Sequence, residues 1–89
     1  MKMKSGFTVL KVAGDYVAAP VGAESKRTRA MIMLNETSAW LWNFFKEDHT
    51  AEEAATAICA EYEVDFETAK RDVDKFLQIF SEKGLLAVS

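Results

Sequence analysis

The chain reads as an α+β domain in which three antiparallel N-terminal strands are followed by a three-helix bundle. Three observations carry that expectation. Phe7, Val9 and Val12 nearly alternate with Thr8 and Lys11, and Ala13-Gly14-Asp15 then gives a turn signal before an apolar return over Tyr16 to Val21. Met31, Ile32, Met33 and Leu34 form an unbroken apolar run, which suits a strand covered on both faces. From Asn35 onward the apolar residues recur at helical spacing in three segments, each with a capping residue in front. Strands first and helices afterwards place the helices against one face of the sheet.

The first strand is expected over Phe7 to Val12 and its return over Tyr16 to Val21. Pro20 cannot donate to a ladder, so it belongs near a strand end or with its missing N–H turned away from a partner. A polar loop, Gly22 to Arg27, leads into the third strand, Arg29 to Leu34. Asn35 then caps the first helix, with Glu36 adding negative charge at the positive helix end. In that helix Leu41, Trp42 and Phe45 fall on one side, while Trp40 and Phe44 form a second ridge roughly opposite. A helix apolar nearly all round belongs in the middle of a domain.

Thr50-Ala51-Glu52-Glu53 has the form of a capping box and opens the second helix, whose apolar stripe is Ala51, Ala54, Ala55, Ile58, Cys59 and Tyr62. Its many alanines imply close approach to a neighbour. Asp65 caps the third helix, with a core stripe of Phe66, Ala69, Val73, Phe76, Leu77 and Phe80 and a left-handed stop at Gly84. Leu85, Leu86 and Val88 can fold back over the core.

With 89 residues, the expectation is one domain over 1–89 with a core of about 7–86. No run approaches the length of a membrane span and the basic opening has no apolar segment behind it, so the expected location is cytoplasmic. Cys59 is the only cysteine, which leaves no internal disulfide and reads as a small apolar core residue. The net charge of −3 is unevenly placed. Lys2, Lys4, Lys11, Lys26, Arg27 and Arg29 dominate the region before Met31, and acids dominate after Leu34. Solvated faces explain this simply; the sharper reading is that Lys26, Arg27 and Arg29 steer an acidic partner towards the third strand.

No catalytic constellation emerges. His49 is expected to be a solvated loop residue without metal-ligand spacing around it. Asp72 and Asp74 lie two apart on a helix and point to different sides, so they neither share a proton nor chelate. There is no glycine-rich phosphate loop and no G-x-S-x-G. These residues alone indicate a small binding or scaffold domain that is not an enzyme and has no cofactor.

Leu34-Asn35-Glu36-Thr37 followed by Trp42 resembles the strand-to-helix signature of the PqqD family. The resemblance continues, in the family's order, through Glu61-Tyr62-Glu63-Val64-Asp65, Arg71-Asp72-Val73, Phe76-Leu77 and Lys83-Gly84-Leu85-Leu86. Tyr16 to Gly22 also looks like the family's second strand. Coverage is roughly Phe7 to Leu86. Glu47-Asp48 departs from the Asp-Gly turn of many members.

The resemblance implies a winged-helix-like fold acting as a peptide chaperone, a RiPP recognition element. Such a module binds the leader segment of a ribosomally made precursor peptide and presents it to a modifying enzyme, often of the radical SAM type; pyrroloquinoline quinone biosynthesis is the founding case. The leader is then expected to add to the third strand beside the third helix. The expected peptide-binding residues are Arg29, Met31 and Met33 on the strand and Arg71, Lys75 and Ile79 on the helix, with Lys26 and Arg27 steering. By alternation Ala30, Ile32 and Leu34 face the core and Met31 and Met33 face away, where soft thioether chains suit a peptide contact. Met31, Met33 and Ile79 equally suit ordinary packing against the first two strands or a dimer mate, and Arg71 and Lys75 suit solvated helix charges better than a peptide contact. Two other readings stand beside this one. A helix-turn-helix nucleic-acid binder would need a basic third helix, which here carries Glu67, Asp72 and Asp74 among Lys70, Arg71 and Lys75. A homodimer could bury the same edge strand.

Overall fold

The computed structural model describes residues 1–27 and 31–87, with the side chains of all of these except Glu24 and Arg27. The elements in order are β1 (Lys2–Met3), β2 (Phe7–Val12), β3 (Asp15–Pro20), α1 (Glu24–Arg27), β4 (Ile32–Leu34), α2 (Glu36–Phe44), α3 (Ala51–Tyr62), α4 (Phe66–Glu82) and β5 (Leu86–Ala87). β2, β3 and β4 form an antiparallel sheet in that order, and the three longer helices follow it. The α+β expectation therefore holds.

Three elements lie outside the sequence reading. β1 pairs with β5 in a separate two-stranded sheet, and a helical turn, α1, occupies the expected polar loop. β1 is fixed by tertiary contacts: the Met3 amide donates to the Phe45 carbonyl at 2.8 Å and the Lys4 amide to the Leu85 carbonyl at 2.7 Å. Two residues carry no period that would mark them as a strand in advance. The third strand begins at Ile32, and Arg29 and Ala30 of the expected strand lie outside the described residues.

The β2–β3 turn has two central residues, Ala13 and Gly14, with φ of 52° and 87°. Positive φ at both positions is the twist-matched geometry of a tight hairpin. Pairing alternates outward from it and continues to the Val21 amide, which donates to the Gly6 carbonyl at 2.8 Å. Pro20, opposite Phe7, ends β3 at a position that owes no bond to β2.

Pleating divides the sheet's side chains. Phe7, Val9, Tyr16, Ala18, Ile32 and Leu34 join the core beneath the helices, whereas Leu10, Val17 and Met33 lie in one cross-strand row on the other face. Trp42 joins three elements, meeting Phe7 of β2 and Phe80 of α4 edge-on at centroid distances of 5.8 and 5.2 Å. Such pairs contribute about 0.5–1.5 kcal/mol each beyond their buried area. The second ridge of α2 also forms: Trp40 stacks on Phe44 at 5.2 Å and meets Tyr62 of α3 edge-on.

The helix ends follow the sequence closely. The Ser38 amide donates to Asn35 Oδ1 at 2.7 Å. In the Thr50 box the Glu53 amide donates to Thr50 Oγ1 and the Thr50 amide to Glu53 Oε1. α4 ends in a Schellman motif, with the Leu85 amide on the Phe80 carbonyl, the Gly84 amide on the Ser81 carbonyl and Gly84 at φ 71°. Asp65 takes the extended N-cap backbone of α4 without forming a side-chain cap bond, although the nearby Thr68 side chain holds its carboxyl below the ordinary carboxylate range. Phe66 corrects the expected core stripe: as the first residue of α4 it projects past the core and is exposed.

Candidate functional site

The three-stranded sheet has two outer strands. β2 is six residues long and carries Lys11, while the described part of that sheet's other outer strand, β4, is Ile32-Met33-Leu34 with no charge. A positive charge on an edge discourages strand pairing, and an uncharged apolar edge invites it.

The backbone of β4 can be assigned by alternation. The two-residue hairpin makes Val12 and Asp15 the first hydrogen-bonded pair, so Leu10 and Val17 are also bonded to each other. Val17 therefore directs its N–H and C=O to β2, while Tyr16 and Ala18 direct theirs to Leu34 and Ile32 of β4. Met33 lies opposite Val17, and its own N–H and C=O consequently face the outer edge. Met33 thus contributes a main-chain donor and acceptor as well as a thioether.

Beside this edge lies a groove of about 740 Å³. β4 and the start of α2 form one wall. α4 forms the other through Asp72, Lys75, Phe76, Ile79, Phe80 and Lys83, spaced at three and four residues along one helix face. Phe76 and Phe80 are buried in the floor, whereas Ile79 is 38% exposed on the rim. Met31 and Met33 are 62% and 66% exposed, and Leu34 only 7%. A chain paired to Met33 would alternate its side chains between the groove and the open side, where Met33 extends the row with Leu10 and Val17.

Met31, Met33, Lys75 and Ile79 thus line a single groove. Arg71 does not line it; it borders a shallow surface on α4 with Phe66, Lys70 and Asp74, where Lys70 is bound to Asp74 at 3.0 Å. Lys26 is exposed on α1, while Arg29 and the side chain of Arg27 lie outside the described residues. Asp72, which helical spacing puts on the same surface as Lys75 and Ile79, joins the wall, and sequence reading missed Lys83. Lys83 was recoverable from spacing, because residues 72, 75, 76, 79, 80 and 83 share a face.

His49 is not the solvated residue expected. Its ring stacks on Phe44 at 4.2 Å and its Nδ1 lies 3.7 Å from Glu53 Oε1. Glu53 is held below the ordinary carboxylate range, chiefly by the Thr50 amide and further by His49. The Tyr62 phenol is pushed up, chiefly by burial and then by Glu36. Among the described residues no group of three or more His, Cys, Asp or Glu is arranged to hold a metal ion, and no helix is long and apolar enough to cross a membrane. Among the described residues there remains an uncharged strand edge beside an apolar-floored groove, an arrangement suited to pairing with extended polypeptide through main-chain bonds and side-chain pockets.

The family model for coenzyme PQQ synthesis protein D (PqqD) matches residues 24–86. The fold is similar to that of TbiB1 in the solved complex with the TbiA(beta) leader peptide, with a TM-score of 0.73 and 27% identity over 100% of this chain and 98% of that one. It is also similar to lasso peptide synthetase B1 complexed with the leader peptide, at a TM-score of 0.69 and 20% identity over 94% and 93% of the two chains. The search of curated proteins returned no match.

Proposed function

This chain belongs to the PqqD family, and from that premise we propose that it is a non-catalytic leader-peptide chaperone, binding a precursor peptide by strand addition and delivering it to a modifying enzyme. The observation that carries this reading is the β4 edge, unpaired and uncharged among the described residues, with the Met33 main chain turned outward beside the α4 groove. An apolar edge of this kind is a pairing hazard until something covers it, and an extended peptide covers it while satisfying its backbone. The likeness to TbiB1, whose structure contains a leader peptide, supports the same reading.

The groove supplies selectivity in this scheme. Met31, Met33, Ile79 and Lys75 contact the leader, Lys26 and Arg27 assist an acidic one by long-range attraction, and Arg29 adds to the same charge. Arg71 stands beside the groove as a secondary contact for a peptide that extends beyond it. The partner enzyme is a peptide-modifying one. The family's link to coenzyme PQQ synthesis favours a radical SAM protein. The site of action is the cytoplasm, where ribosomally made precursors first meet their enzymes.

A nucleic-acid role has the weaker support: α4 interleaves Glu67, Asp72 and Asp74 with its bases, whereas phosphate contact needs a basic face. The deciding experiment titrates the isotope-labelled domain with the leader of a short precursor encoded beside it. Amide shifts concentrated on Ile32 to Leu34 and on the groove face of α4 are the expected result. Unperturbed spectra at high peptide concentration would overturn strand addition of that leader.

A further inference from the structure

We propose that the segment bound in the groove carries the pattern acid–x–large apolar–x–acid, read in turn by Lys75, Ile79 and Lys83. This rests on the groove being a leader site, and it specifies what that leader must contain. The reasoning is a match of repeats. A helix rises about 1.5 Å per residue, so four residues separate Lys75 from Ile79, and Ile79 from Lys83, by about 6 Å each. A strand advances about 6.6–6.8 Å over two residues, and those two residues share a face. An extended chain lying along the axis of α4 presents residues i, i+2 and i+4 to these three side chains with a mismatch below about 1 Å per step.

The chemistry of each position follows from its surroundings. Ile79 stands on the rim above the buried rings of Phe76 and Phe80, so the central residue is apolar and large enough to span the groove. Lys75 and Lys83 are exposed on the same wall, and neither takes part in an ion pair among the described residues. Among the described residues their ammonium groups have no ion-pair partner to surrender. Asp72, one turn before Lys75, offsets part of the charge at that end and leaves Lys83 as the stronger reader. Because the chain as a whole carries −3, an acidic segment is attracted only where these lysines act locally. The pattern is the same in both directions, so it does not depend on the polarity of the added strand.

The probe is a fluorescein-labelled, end-capped peptide TSETLTESTS, compared by anisotropy with versions in which both glutamates are lysine or the leucine is serine. The glutamate–leucine peptide should bind best, with a loss of about two- to five-fold for each lysine contact removed. A K75E/K83E variant, shown to fold by circular dichroism, should reverse the preference and favour the lysine peptide. Equal affinity for all three peptides, no binding of the glutamate peptide, or an unchanged preference in the variant would each overturn the pattern. The leader reading is tested separately: an encoded leader that lacks the pattern yet shifts Ile32 to Leu34 would keep the function and remove only the pattern, whereas unperturbed spectra with the encoded leader would overturn the leader reading itself.

Discussion

Trp42 of α2 meets Phe80 of α4 edge to face, with ring centroids 5.2 Å apart and planes at 75°. Phe80 is also part of the groove floor. Core and site therefore share a residue, and the floor is as rigid as the core beneath it. Phe80→Ala should cost about 3–5 kcal/mol in urea unfolding, while Phe80→Leu should cost less and retain a usable floor. A cost below about 1 kcal/mol for the alanine variant would separate the floor from the core.

The Met33 backbone allows strand addition to be tested apart from side-chain contact. Its N–H faces the open edge, so Met33→Pro removes a donor that the folded sheet does not use. Leader binding should fall at least about ten-fold, the weight of one strong main-chain bond with its geometry. Met33→Ala, which keeps the N–H, should lose less. Ile32→Pro should instead damage the sheet, because Ile32 is bonded to Ala18. Calorimetry for binding and thermal melts for folding distinguish the three variants.

The cap of α3 predicts an acid-labile component of stability. Glu53 accepts from the Thr50 amide and lies near His49, and its folded pKa is lowered from the ordinary 4.5. A depressed carboxylate stabilises the fold above its unfolded pKa, and that contribution disappears as pH falls through the folded value. Glu53→Gln should flatten the stability–pH curve below about pH 4.5 relative to the parent protein. Thr50→Ala should cost about 1 kcal/mol at neutral pH, since the Glu53 amide loses its acceptor. Equilibrium unfolding across that pH range checks both.

The caps at Asn35, Thr50 and Gly84 and the stripe Ala69, Val73, Phe76, Leu77 and Phe80 were legible in the chain because they depend on neighbours three or four residues away. The apolar run at Met31 to Leu34 marked the third strand by its unbroken hydrophobicity, but the cover expected on both faces is present on one only among the described residues, since Met31 and Met33 are exposed. β1 was not legible, since its two residues are held by Phe45 and by β5 at the far end of the chain. His49 was misread because its stacking partner, Phe44, belongs to a helix that turns back before α3 begins. For the site, spacing puts Lys75 and Ile79 on one wall with Asp72 nearby, and the same spacing would have added Lys83, but only the packed helix separates Arg71 from it.

Lys11 accounts for the different character of the two sheet edges. It lies in a non-hydrogen-bonded pair with Tyr16, so its main-chain groups face outward from β2 while its Nζ sits 5.5 Å above the Tyr16 ring. An ammonium held at that edge must lose water before another strand can settle there, and Leu10 and Val12 alongside would otherwise make β2 adhesive. Lys11→Val should therefore self-associate more strongly than the parent protein, with the weight-average mass in light scattering rising with concentration. Leader binding should be retained, because β3 separates the two edges. If leader peptide reversed the association, the new contact would be at β4, and the guarding role of Lys11 would be refuted.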